Sequence, residues 1–110
     1  MAIPLSKTRR SGKTLYLSGE LGFAADGTMP EGIAAQTRQC IENITATLAK
    51  EGLDLSNVLS CTCYLTDPAD FADFNAVYSE MFPEPFPVRT TIGCALMIDA
   101  KVEITVIAEG

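Results

Sequence analysis

Histidine is absent from the 110 residues, and that absence removes more chemistry than any motif here supplies. Without an imidazole there is no Ser-His-Asp or Cys-His nucleophile, and most catalytic zinc sites go with it. Acid–base work falls to carboxylates, Tyr, Lys, Cys or backbone-held water. Basic residues are scarce too: eight Lys and Arg stand against fourteen Asp and Glu, for a net charge of −6. Phosphate-backbone binding needs a basic face that releases counterions, so no nucleic-acid partner is expected. No apolar run approaches the roughly 20 residues of a membrane span. The opening Met1-Ala2-Ile3-Pro4-Leu5-Ser6-Lys7 lacks the charged-then-apolar plan of a secretory leader, so the expectation is a cytoplasmic protein with no membrane partner. Zinc-type Cys-x-x-Cys pairs are missing as well, and no metal is expected.

Apolar residues make up 47% of the chain and charged residues 20%, enough to bury a core in one domain spanning residues 1–110. The four cysteines, Cys40, Cys61, Cys63 and Cys94, read as small core hydrophobes rather than disulfides. The one basic cluster, Lys7, Arg9, Arg10 and Lys13, surrounds Ser11-Gly12 and reads as a solvated turn. Asn43-Ile44-Thr45 matches a glycosylation acceptor but sits in a helical setting and is set aside.

Taken in order, Thr14–Ser18 reads as a strand that pairs with residues 3–8 as a hairpin. Gly19 through Gly27 reads as a loop. Ile33, Thr37, Cys40 or Ile41, Ile44 and Leu48 recur at helical spacing between Gly32 and Glu51, with Gln36, Arg38, Gln39 and Glu42 outward. Gly52 supplies the stop. Val58–Leu65 is β-prone, and residues 69–82 form a second helix with Phe71, Phe74, Tyr78 and Met81 or Phe82 inward. Pro83-Glu84-Pro85-Phe86-Pro87 is a rigid connector. The Arg89 strand follows, then a turn near Asp99, then residues 101–108 with Val102, Ile104, Val106 and Ala108 on one face. The fold class is therefore α+β: a mostly antiparallel sheet with two helices packed on one face.

Pro87-Val88-Arg89-Thr90-Thr91-Ile92 carries the candidate chemistry. Arg is shaped to hold a carboxylate through two parallel hydrogen bonds and cannot lose its charge. Its alternative role is to snorkel from a sheet edge to water. Alternation puts Arg89 and Thr91 on one face, which we group with Glu103, Thr105 and Ile107 as a sheet face left uncovered. A second copy of the chain is the simplest cover. With a turn near Asp99, Arg89 and Glu103 fall on the order of 20 Å apart, so they meet only across a subunit boundary.

Ser18-Gly19-Glu20, Gln36-Thr37-Arg38-Gln39, Glu42-Asn43-Ile44, Gly52-Leu53-Asp54-Leu55, Tyr64-Leu65-Thr66-Asp67, Asp70-Phe71-Ala72-Asp73-Phe74-Asn75, Pro87-Val88-Arg89-Thr90 and Lys101-Val102-Glu103-Ile104 stand in the order and spacing of one family. From Pro4 to Ala108 the chain resembles the Rid proteins, the reactive intermediate deaminases, also called YjgF-type or L-PSP proteins. The resemblance implies a chorismate-mutase-like fold and a homotrimer whose sheets form a barrel, with sites at the subunit clefts. It implies metabolite damage control by hydrolysis of 2-imino and 2-enamino acids, such as 2-aminoacrylate, to 2-keto acids and ammonia, with no cofactor. By that resemblance Arg89 clamps the substrate carboxylate and Glu103 of a neighbour orients or activates water. Ser18, Gly19, Asn75 and Thr91 would line the pocket.

Three departures stand out. Leu5 occupies the place of the family's pocket Tyr, and Thr91 that of a common Cys. Leu96-Met97 replaces a Leu-Pro. They imply altered specificity toward bulkier 2-imino acids. The alternative is a non-catalytic trimeric binder of small carboxylates, for which Arg89 suffices. The ribonuclease label of some relatives fits poorly with a −6 chain, and no sequence feature supports a chaperone-like role.

Overall fold

The computed structural model describes residues 2–110; Met1, with which the leader reading begins, lies outside the described residues. The strands are β1 (Thr8–Ser11), β2 (Thr14–Leu17), β3 (Glu20–Leu21), β4 (Val58–Leu65), β5 (Val88–Gly93) and β6 (Val102–Glu109). The helices are α1 (Ile33–Ala49) and α2 (Phe71–Met81), both on one face of a sheet ordered β1-β2-β6-β4-β5. Only β4 and β5 run parallel, which makes the sheet mixed and mostly antiparallel, as expected. No helix is long and apolar enough to cross a membrane among the described residues.

The last strand is the axis. Its strict alternation buries Val102, Ile104, Val106 and Ala108 to 1% exposure or less against Ile41, Ile44, Leu48 and Phe74. Each Val or Ile so buried contributes about 1.5–3 kcal/mol. Gly52, at φ 74, ends the α1 region as read from the sequence. Asn43, the residue of the acceptor motif, donates to the carbonyls of Leu21 (3.0 Å) and Phe23 (2.8 Å) and so pins the β3–α1 connection to the helix.

Five local expectations are corrected. The hairpin partner of β2 is Thr8–Ser11, not residues 3–8, because a two-residue turn with Gly12 at φ 58 sets Ser11 opposite Thr14. Glu20–Leu21, read as loop, pairs with Ile104 and Glu103 of β6. The Arg89 strand and the last strand form no hairpin, since β4 lies between them. Gln36 is buried rather than outward. Phe71 is 45% exposed rather than inward, because it opens α2 and its ring lies near Arg89 of the edge strand β5 instead of in the core.

Gln36 shows why a polar residue can belong to the core. Its Nε2 donates to the Pro30 carbonyl (3.0 Å) and its Oε1 accepts from the Lys101 N–H (2.8 Å). The side chain thus joins the entry to α1 with the entry to β6. Gln36→Leu leaves both backbone groups without their partner, at about 1–3 kcal/mol per buried group. An unfolding free energy lowered by about 2 kcal/mol or more, read from the fall in the urea midpoint, is expected, whereas an unchanged midpoint would deny the bridge its role.

Candidate active site

Arg89 stands on β5, an edge strand paired only with β4. Its register partner is Cys61, and that of Thr91 is Cys63; both thiols are fully buried beneath the helices. Paired residues point to the same side of a sheet, so Arg89 and Thr91 rise toward α2. The expectation that they lie on the open face with Glu103, Thr105 and Ile107 is therefore wrong. Val88 (72% exposed), Thr90 and Ile92 occupy that face instead.

What meets the guanidinium is an aromatic row. Asp67 accepts from the Ala69 N–H (2.9 Å) and Pro68 opens the turn that leads into α2. Phe71, Phe74 and Tyr78 then fall at three- and four-residue steps on one side of the helix. Their ring centroids lie 5.8, 5.5 and 4.8 Å from Arg89 Cζ. Tyr78 in turn stacks on Phe82 at 4.4 Å. Cation–π attraction of this kind contributes about 0.5–2 kcal/mol per ring, more as water is excluded. Among the described residues the ion pairs are Lys7–Glu20, Arg10–Glu51 and Arg38–Glu80, and Arg89 takes part in none. Its hydrogen-bonding fork is left for a ligand.

Beside it opens a groove of about 550 Å³, within the size range of small-molecule sites. Ala72, Ala76 and Ser79 of α2 form one wall, and Phe86 and Pro87 of the connector form the other. Asn75 also lines it, and its buried Oδ1 has no hydrogen-bond partner. Such an acceptor suits an N–H of a bound molecule. A smaller recess of about 240 Å³ is lined by Phe71, Thr91 and Ile92. The fork, the orphan acceptor and the apolar walls together suit a small carboxylate that carries nitrogen and a modest side chain.

The other candidate residues gather elsewhere. Glu103 projects from the open face of β6, opposite Tyr64 and Leu21. Its carboxylate occupies the space over Gly19, where an added Cβ would stand only 3.0 Å from Glu103 Cδ and 3.3 Å from Cγ. Ser18 donates its hydroxyl to the Ser6 carbonyl (2.6 Å) and its N–H to the Lys7 carbonyl (3.0 Å). Both bonds tether the exposed segment that carries Leu5. Three register positions and two inter-strand spacings, with β4 between, separate Glu103 from Arg89, a Cα distance of about 14 Å, with the side chains on opposite faces. The structure therefore groups Arg89, Asn75 and Thr91, and separately Ser18, Gly19 and Glu103. The aromatic row facing Arg89 was visible in the sequence only as helical spacing, which was assigned wholly to the core.

Beneath the guanidinium the floor is held neutral. Burial pushes the Cys63 thiol up to about 12, with Cys61 adding to the rise and Arg89 opposing it. Burial raises Cys61 as well, against the pull of the Tyr78 hydroxyl and Arg89. Tyr78 is raised by burial first and then by its Cys61 neighbour.

The family model described as Endoribonuclease L-PSP matches residues 1–110. A Bos taurus protein named 2-iminobutanoate/2-iminopropanoate deaminase is 36% identical over 108 residues, covering 96% of this chain and 79% of its own length. An Arabidopsis thaliana protein named Reactive Intermediate Deaminase A, chloroplastic, is likewise 36% identical over 96% of this chain and 58% of its own. The crystal structure of RidA from Psychrobacter sp. PAMC 21119 superposes with a TM-score of 0.95 at 35% identity, covering all of this chain and 91% of that one.

The raised acidities set a pH dependence. Cys61, Cys63 and Tyr78 hold their protons more tightly folded than unfolded. Above about pH 8.5 the unfolded chain releases thiol protons that the folded chain keeps, so stability falls as pH rises. Cys63 alone should account for about 2 kcal/mol between pH 7.5 and 10.5. Urea melts at those two pH values check this, with the loss smaller in Cys63→Ala; equal losses in the two proteins would contradict it.

Proposed function

Because this chain belongs to the endoribonuclease L-PSP family, the family of the reactive intermediate deaminases, we propose that it hydrolyses 2-imino and 2-enamino acids to 2-keto acids and ammonia. The observation that carries this reading is Arg89: a guanidinium with no carboxylate partner, held over three rings beside the groove. The name of the bovine relative, a deaminase of four- and three-carbon 2-imino acids, supports the same substrate class.

In this reading Arg89 binds the substrate carboxylate through two parallel hydrogen bonds. The C=N carbon is already electrophilic, so what the protein adds is position and proton movement. Water adds to that carbon while a proton goes to nitrogen. The resulting carbinolamine expels ammonia as its hydroxyl proton is lost, leaving the keto group. Glu103 orients the water and takes its proton. Asn75 Oδ1 accepts from the substrate nitrogen, and Thr91, Ser18 and Gly19 line the pocket. Since Arg89 and Glu103 lie about 14 Å apart on opposite faces of one chain, Glu103 comes from a neighbouring copy, and the resemblance to the Rid proteins makes a homotrimer the working unit of this reading. An RNA-cleaving role gains no support from a chain of net charge −6 without histidine.

An amino-acid oxidase that generates the imine in the presence of semicarbazide provides the test. Wild-type protein should suppress semicarbazone formation. Arg89→Ala should lose roughly 10²-fold in kcat/KM, the worth of a charge-assisted pair. Glu103→Gln should lower kcat by about 10²–10⁴ while retaining affinity for the keto acid. If wild-type protein binds keto acids through Arg89 yet suppresses no semicarbazone, the chain is a carboxylate binder and not a deaminase.

A further inference from the structure

Phe71 is the odd member of the aromatic row. Phe74 and Tyr78 are buried to 0% and 4% exposure and are core residues in their own right. Phe71 is 45% exposed at the first turn of α2, where a ring left in water gains little from packing. Yet its centroid lies 5.8 Å from Arg89 Cζ, and it lines the recess that contains Thr91, the residue two along β5 on the same face as Arg89. Arg side chains are commonly steered by a carboxylate. Here a carboxylate would compete with the ligand for the same N–H fork, whereas a ring holds the guanidinium by its face and leaves the fork free.

We infer that Phe71 is a positioning residue for Arg89, closing the solvent side of an aromatic cage that holds the guanidinium in its ligand-binding rotamer. The inference rests on the reading of Arg89 as the carboxylate clamp, and it adds what keeps that clamp ready. Phe74 and Tyr78 form the floor of the cage. Phe71 forms its outer wall, so it alone can be changed without opening a cavity in the core. Removing the ring frees the guanidinium to turn toward water, and binding must then re-immobilise it. The carboxylate does not react, so the loss should fall on binding more than on the chemical step.

The test compares wild type, Phe71→Leu, Phe71→Tyr and Arg89→Ala. The readouts are kcat and KM for 2-iminobutanoate, calorimetric Kd for 2-oxobutanoate and for 2-oxobutanamide, and Tm. Phe71→Leu should weaken 2-oxobutanoate binding by about three- to tenfold, the cost of ordering one long side chain. It should raise KM by more than it lowers kcat and lower Tm by no more than a few degrees, the loss of one half-exposed cation–π contact. Phe71→Tyr, which keeps the ring, should restore wild-type values. Binding of the uncharged amide should not respond to Phe71. If Phe71→Leu matches wild type in Kd and KM while Arg89→Ala loses both, the cage inference falls and the clamp stands. If Arg89→Ala itself matches wild type, the clamp reading falls and takes the inference with it. A loss in Phe71→Leu that extends equally to the amide, or that Tyr does not restore, would mark Phe71 as merely structural and overturn the proposal.

Discussion

The pairing of β6 with β2, β3 and β4 is the constraint on which the rest of the molecule hangs. One strand holds both edges of the sheet together, and its alternation decides what each face is for. The face with Val102, Ile104, Val106 and Ala108 collects α1 and α2 and becomes the core. The other carries Glu103 beside Tyr64 and Leu21, with the backbone of Gly19 close enough that only a residue without Cβ leaves room for the carboxylate. A shift of one residue in β6 would exchange the two sets and destroy core and site together.

Arg89 depends on the opposite edge of that sheet. A cation this close to the core is ordinarily compensated by a carboxylate, and a paired Arg would be structurally safer. Three rings of α2 give a weaker field, with Cys61, Cys63 and Tyr78 kept protonated by burial. Nothing in that floor competes for the guanidinium's donors. Weak compensation is compatible with folding because the charge is only half-buried, its fork reaching the groove. The chain accepts less electrostatic stability at this point and keeps a cation available to an incoming anion, as functional sites commonly do.

The parts of the fold that were legible in the sequence are those with local signals. Helix α1 announced itself through Ile33, Thr37, Ile41, Ile44 and Leu48, and β6 through strict alternation bounded by charged residues. Arg89, Asn75 and Glu103 stood out by residue type and by the segments around them. Strand pairing has no such signal. Nothing in Val88–Gly93 says that it pairs parallel with β4 through the α2 crossover rather than antiparallel with β6. The face of Arg89 was misassigned for the same reason. On an ordinary half-buried strand Val88 and Ile92 would face inward. Here they face outward, because the row beneath α2 is reserved for Arg89 and Thr91. Gln36 was misread because a polar side chain bridging two loops looks, in sequence, like any outward glutamine.

The opposition of faces has a consequence for how the proposed reaction is organised. Within one chain the sheet itself separates the carboxylate-binding cation from the carboxylate that would handle water, and no side-chain rotation carries either through it. If both act on one substrate, the edge at β5 of one copy must approach the Glu103 face of another. The residues exposed on that face fit such a contact: Val88 and Ile92 on β5, with Tyr16 on β2, are apolar or aromatic groups that solvent alone does not explain. Under the proposed function, association is then a requirement of the chemistry as well as a cover for apolar surface. The free chain would hold each half of the site intact and preorganised, with neither half able to turn over substrate alone.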